Sequence, residues 1–180
     1  MRSRLFRSLT LAASLLAGAC ARRGPVPPSP EGFLYPAPPP GELRQAEAIE
    51  KAWRALLSGD TRKAERSFRG ILGDHPGQPA AQTGLGYAQM KAGRVELAGQ
   101  AFATVLERHP EYVPALAGAA AAAQRQGRPE PALAFLRKAH ALAPGNLALR
   151  RQVAEVRLQL TERRVAAAAE AAAAGDTERA

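Results

Sequence analysis

The chain is poor in most residues that carry chemistry. It has one cysteine, Cys20, and three histidines in 180 residues. A lone cysteine excludes an intrachain disulfide, so packing alone must hold the fold even in an oxidising compartment. Aspartate occurs only at 60, 74 and 176. His75 and His109 each stand just ahead of a proline, at a spacing of 34, and His140 is isolated. Asp74, Glu107 and Glu111 lie near the first two, but no H-x-x-x-H or C-x-x-C spacing completes a metal site. There is no G-x-S-x-G elbow and no phosphate-cradling glycine loop. Acidic pairs such as Glu47 and Glu50 fall on one open helix face, where solvation is the default. The inventory nominates no catalytic residue, metal, cofactor or small-molecule substrate.

Lysine and aromatic residues are scarce too. The formal charge of +9 comes from 21 Arg and only 4 Lys, and aromatics make up 5% of the chain. The arginines are spread along the sequence. A nucleic-acid protein concentrates its basic residues on one element with aromatics between them, so nucleic acid is not an expected partner. Long apolar runs are also missing. Near the start, 9–19 is a short, mostly apolar run. A membrane span needs about 20 apolar residues, and this run falls short of that.

That short run follows Arg2, Arg4 and Arg7, which is the layout of an export signal over 1–19. Leu16-Ala17-Gly18-Ala19-Cys20 resembles the lipobox of bacterial lipoproteins, departing from it at Ala17, where Leu is commoner. The resemblance implies a lipid anchor on Cys20. Ala21 follows where lipoproteins kept in the inner membrane often carry Asp, which points to the outer membrane, facing the periplasm. Ala17-Gly18-Ala19 equally fits the small-x-small site of ordinary signal peptidase, and cleavage after Ala19 would leave a soluble periplasmic protein. Loss of the three signal arginines lowers the formal charge from +9 to +6.

The segment 20–41 comes next, the candidate lipidated cysteine followed by a proline-rich linker. Eight of the fifteen prolines fall within 24–41. Such a density precludes a helix and predicts a polyproline-like tether. At about 3.1 Å per residue it would span up to roughly 55 Å. An apolar triplet, Phe33-Leu34-Tyr35, interrupts it, either as a sticky spot in a linker or as a docking element for the first repeat or a partner.

From 42 to 144 the sequence repeats with a period of 34. Gly59, Gly93 and Gly127 form one column, Ala64, Ala98 and Ala132 a second, and Pro76, Pro110 and Pro144 a third. Constant offsets within each copy place them in one register. Each copy reads as a helix ended by Gly, a second helix, and a Pro-marked turn. The expected helices are 42–58 with 62–72, 80–92 with 95–108, and 114–126 with 129–142. Thr61 is the expected cap of the second helix, and Pro129 suits a helix start. The alanines are small where paired helices approach, and Phe68, Phe102 and Leu136 supply core bulk four positions on.

These units resemble tetratricopeptide repeats, in three copies at about 45–78, 79–112 and 113–144. Leu85-Gly86 matches the large–small pair of the family's first helix, while Ala52 and Ala120 stand at the small place in the other copies. The resemblance implies an all-α fold, a short right-handed α-solenoid capped by a long C-terminal helix. The segment 145–174 supplies that cap: 147–174 lacks Gly and Pro, and Leu149, Val153, Val156 and Leu160 form a stripe. The stripe covers the last repeat or pairs with another copy. The final segment 175–180, Gly-Asp-Thr-Glu-Arg-Ala, echoes 59–64 and is expected to open a further, truncated unit.

The resemblance places function on the concave face, lined by first helices. Trp53, Tyr87 and Ala121 share one position in successive units, either a sticky groove floor with a vacancy or, for the two rings, packing between helices. Thr83, Met90, Lys91, Gln124, Arg125 and Arg151 are expected around it, with a basic rim that favours an acidic or C-terminal segment. The expected function is non-catalytic: a scaffold lipoprotein of the bacterial envelope that holds a protein partner in this groove. The alternatives are a structural oligomer through the C-terminal helix, or an accessory subunit of an envelope enzyme.

Overall fold

A computed structural model describes residues 33–37 and 43–178, with side chains over 33–37 and 45–174. The expected export signal, Cys20, most of the expected linker and the last two residues lie outside the described residues. Seven helices follow in order: α1 (Leu43–Leu57), α2 (Thr61–Asp74), α3 (Pro79–Lys91), α4 (Val95–Arg108), α5 (Val113–Arg125), α6 (Pro129–Leu142) and α7 (Leu147–Glu178). No strand occurs among the described residues.

The repeating columns explain the joints. Gly59, Gly93 and Gly127 have φ of +91°, +81° and +72°. A Cβ at these positions would meet nothing within 4 Å. Glycine is therefore required for its backbone angle and not for space. The second joint is equally regular. His75, His109 and Ala143 end α2, α4 and α6, each donating its backbone N–H to the carbonyl one turn back, on Ile71, Val105 and Ala139. Alanine serves at the third copy, so the imidazoles are not what this joint needs.

The starts differ from expectation in detail. Asp60, not Thr61, caps α2: its Oδ1 accepts from the Lys63 N–H at 3.0 Å, and Thr61 is already the first helical residue. A side-chain oxygen at this place satisfies one of the free N–H groups of the first turn. Gln78 caps α3 through Oε1, which accepts from Ala80 N–H at 2.6 Å and Ala81 N–H at 3.3 Å. Asn146 does the same for α7, with Ala148 and Leu149 as donors. At the far end α7 continues through Gly175 to Glu178. The described part of the echo, 175–178, therefore lies inside a helix and does not open a turn, because the alanines before it favour continuation.

Each helix packs on the next along the chain, within units and between them. In addition α1 touches α3, and α3 touches α5, whereas α2, α4 and α6 make no comparable contact with one another. First helices thus crowd on the inner side of a curved stack and second helices fan out on its outer side. Ala64, Ala98 and Ala132 are fully buried where the pairs meet.

Interdigitation between units follows a rule of its own. Phe68 of α2 lies over Gly84 of α3, where a Cβ would come within 2.3 Å of the ring. Phe102 of α4 lies over Gly118 of α5, again at 2.3 Å, and over Gly86 of its own unit at 2.7 Å. Each phenylalanine thus occupies the space of a missing side chain on the following unit. One repeat after Gly118 stands Gln152, and the residue at the phenylalanine place is the smaller Leu136.

α7 packs on α6 and closes the stack. Leu149, Val153, Val156 and Leu160 are buried in one cluster with Leu116, Ala120, Leu136 and Ala139. The stripe is consumed inside the chain. Beyond Leu160 every described side chain of α7 is exposed.

Candidate functional site

The concave face brings together Trp53 on α1, Tyr87 on α3 and Ala121 on α5, as their common register requires. Trp53 and Tyr87 meet edge to face at 5.5 Å between ring centroids, and Tyr87 meets Phe102 at 5.1 Å. Edge-to-face pairs bring the positive rim of one ring to the negative face of the next. The floor is not open to solvent: both Trp53 and Tyr87 are 0% exposed.

What covers them is the chain's own segment 33–37, from the proline-rich stretch. Phe33 lies on Tyr87 with centroids 4.5 Å apart, and Tyr35 meets Trp53 edge-on at 5.9 Å. Phe33 and Pro36 are buried, and Leu34 and Tyr35 half-buried. The backbone is held as well. Tyr87 Oη accepts from the Leu34 N–H at 3.2 Å and donates to the Pro114 carbonyl at 2.8 Å. Tyr112 Oη donates to the Ala37 carbonyl at 2.8 Å. The segment 33–37 therefore forms a strap across α1, α3 and the start of α5.

Burial shapes the chemistry here. It pushes the Tyr87 phenol far above its ordinary value, against a smaller opposing effect of the Leu34 hydrogen bond. Tyr112 is raised similarly, by burial first and then by its tyrosine neighbours. Tyr35 is raised by burial and by the nearby Glu50 carboxylate. All three phenols stay protonated donors at neutral pH. Trp53 Nε1 and Thr83 Oγ1, by contrast, are buried with no protein hydrogen-bond partner.

The remaining groove residues divide in two. Thr83 and Met90 are fully buried, so they belong to the floor's support and not to its surface. Ala121 and Gln124 are half-buried and Arg125 exposed. With Arg151, Gln152, Glu155 and Gln159 of α7 they line a cleft whose wall is Phe33. The expected basic rim has an internal task. Lys91 Nζ donates to the Leu56 carbonyl at 2.7 Å, and Arg125 Nη1 donates to the Met90 carbonyl at 2.9 Å. Each reaches back one unit to the C-terminal end of the previous first helix, where free carbonyls and the helix dipole favour a cation.

Sequence reasoning missed several contributors. Glu65, 8% exposed, pairs with Arg69 one turn along α2 and with Arg94 at the start of α4, tying the first unit to the second. Gly84 and Gly118 recur with the repeat, as do Lys91 and Arg125, and both columns are visible in the sequence. Tyr112 has no such signal, because its partner is the strap. The histidines form no site: Nε2 of His75 lies 3.5 Å from Gln45 Nε2, and His140 Nδ1 is buried alone. Among the described residues no group of three or more His, Cys, Asp or Glu could hold a metal ion. No described helix is long and apolar enough to cross a membrane.

Comparison with known proteins agrees with this geometry. The tetratricopeptide repeat family profile matches residues 55–123. The tetratricopeptide domain of Sgt2 from Aspergillus fumigatus superposes with a TM-score of 0.62 at 17% identity, over 72% of this chain and 85% of that one. At that identity the likeness is one of fold. No curated protein matches the chain.

Proposed function

From the premise that the described helices are a tetratricopeptide-repeat solenoid, a fold that typically serves as a protein-interaction module, we propose that this chain is a non-catalytic scaffold whose concave groove holds a non-helical segment of a partner protein. One observation carries the reading: the groove already holds a non-helical peptide, its own segment 33–37, by ring contacts and main-chain hydrogen bonds. A surface that grips one such segment has the chemistry to grip another. We further propose that the protein acts at the bacterial envelope as a lipoprotein anchored through Cys20 in the outer membrane, with the Pro-rich segment as its spacer. The support for that part is the sequence of 1–20 and its resemblance to lipoprotein signals. Assembly of an envelope complex is the task such an address suggests.

Photo-crosslinking in cells tests the groove. Probes at Ala121 and Gln124, in the uncovered part of the face, and at Arg137 on the exposed outer side of α6 as control, are read by mass spectrometry. One dominant partner captured from the two groove positions and absent from Arg137 is the expected result. The same diffuse background from all three defeats the groove reading. For the anchor, metabolic labelling with an alkyne fatty acid should mark the protein and be lost in Cys20→Ala. An unlabelled wild-type protein would leave ordinary cleavage after Ala19 in its place.

A further inference from the structure

Resting on the groove reading above, we infer that the strap 33–37 is a displaceable internal ligand, and that the partner the groove accepts is a non-helical protein segment in the same register: an aromatic, any residue, an aromatic, then proline. The register follows from the contacts. The first ring sits on Tyr87 and the second on Trp53. Between them a main-chain N–H, that of Leu34, is bound by Tyr87 Oη, and two positions past the second ring a main-chain carbonyl, that of Ala37, is bound by Tyr112 Oη. The two main-chain grips take any sequence, so selectivity falls to the rings and to the buried Pro36 between them and the second grip. Proline suits that place because the strap makes a tight turn there, the Ala37 N–H donating to the Tyr35 carbonyl at 3.0 Å, and its fixed φ lowers the entropy lost on docking.

The strap is a good occupant but not the best one. Trp53 Nε1, on the floor ring that Tyr35 covers, is buried with no protein partner while the strap is in place. A buried donor left unpaired costs free energy, and an occupant that brings it an acceptor avoids that cost. The strap holds its position by proximity: only positions 38–42 separate it from α1. A ligand tied so closely acts at an effective concentration of the order of millimolar. A partner in trans lacks that advantage and must gain by better contacts. The strap thus sets a threshold, keeping the aromatic floor away from segments that only match its own quality.

The test is a fluorescence-anisotropy titration with a labelled peptide of sequence 31–38, added in trans to the full chain. Wild type is compared with Phe33→Ala/Tyr35→Ala and with a chain carrying a long Gly/Ser insertion after Pro40. Removing the rings clears the floor, and the peptide should bind at least about tenfold more tightly than to wild type. The insertion leaves groove and strap chemistry intact and dilutes the strap, which should improve binding by about tenfold as well. A scrambled peptide with its rings adjacent should bind neither variant. Circular dichroism reports whether the double variant keeps its helices; if it does not, the insertion decides alone. Equal affinity for all three chains overturns the inference, as does failure of the cleared groove to bind peptide at about 1 mM. A partner captured from Ala121 alongside an affinity indifferent to the strap would sink this inference and leave the proposed function standing. Tight peptide binding to the cleared groove with no partner captured would do the reverse.

Discussion

Gly118→Ala isolates the packing rule between units. A Cβ there would lie 2.3, 2.5 and 2.7 Å from Cε1, Cζ and Cδ1 of Phe102. Ordinary carbon contacts lie at about 3.5–4.0 Å, so the overlap on the worst pair exceeds about 1 Å. The ring has no exit. Phe102 is fully buried, with Gly86 at its other side, where a Cβ would lie 2.7 Å away, and with Tyr87 edge-on to it. Relief therefore requires α5 to move away from α4. With three ring atoms overlapped and no exit, the cost falls in the upper part of the overpacking range, about 2–3 kcal/mol, and replacing a helical glycine by alanine returns roughly 1 kcal/mol. The net is a loss of about 1–2 kcal/mol, read as a fall in Tm of roughly 3–8 °C.

Gly99→Ala is the matched control. It lies in α4, and the nearest atom to a new Cβ is Gln126 Nε2 at 3.9 Å, an ordinary contact. Only the propensity gain remains, up to about 1 kcal/mol of stabilisation. The two substitutions are chemically the same and should move Tm in opposite directions in thermal melts followed by circular dichroism. Phe102→Leu completes a double-mutant cycle, since the third unit already uses Leu136 at this place. In that background the Gly118→Ala penalty should drop below about 0.5 kcal/mol. A Gly118→Ala protein as stable as wild type, or a penalty unchanged by Phe102→Leu, would refute the idea that the ring fills the glycine's space.

Three further outcomes are expected. Asp60→Ala removes the side-chain acceptor at the start of α2 and should cost about 1 kcal/mol in chemical denaturation, with Thr61→Ala nearly neutral. Glu65→Ala breaks the link between the first two units; because Arg94 and Arg69 are substantially exposed, the loss should be no more than about 1–2 kcal/mol and should shrink at high salt. Raising the pH should release the strap. Burial raises the Tyr35 pKa above its ordinary 10.0, so docking is undiminished below pH 10 and weakens as pH climbs through the docked value. Trp53 is the only tryptophan, and its emission should move to the red above pH 10 before helicity is lost; simultaneous loss of both signals would contradict a separately releasable strap.

The repeat architecture was legible because every repeating column answers a local constraint. A glycine at positive φ or an alanine between two helices is dictated by backbone geometry and steric room, and such demands leave the same residue type in every copy. The aromatic floor was legible for the same reason: Trp53 and Tyr87 share a register. Its cover was not. Phe33-Leu34-Tyr35 stood out as an apolar triplet in a proline-rich stretch, but it belongs to no period, and its ring partners Trp53 and Tyr87 sit on two different helices far along the chain. A contact made once, between a repeat and a non-repeat, leaves no periodic trace. Lys91 and Arg125 failed differently. Their column was visible, but a basic residue near a groove has two kinds of partner open to it. Only the distances to the Leu56 and Met90 carbonyls show that it serves the preceding helix.

The strap and the committed cations bear on one question, what a partner would gain by binding. If the floor were bare, docking an aromatic segment would remove apolar surface from water, worth about 25 cal/mol per Å². With Phe33, Tyr35 and Pro36 in place, most of that gain has already been taken within the chain, and a partner collects only the difference between its contacts and the strap's. The cationic rim offers less than its charge suggests as well, since Lys91 and Arg125 each have a donor committed to a helix end. Affinity must then come from what the strap leaves undone. The unpaired Nε1 of Trp53 is one such source, and the cleft beyond Phe33, floored by Ala121 and walled by α7, is another. A segment that places its two rings as the strap does and then continues past Ala121 would use both. Selectivity in this groove is therefore set by exchange, and a weak match fails because the chain is its own competitor.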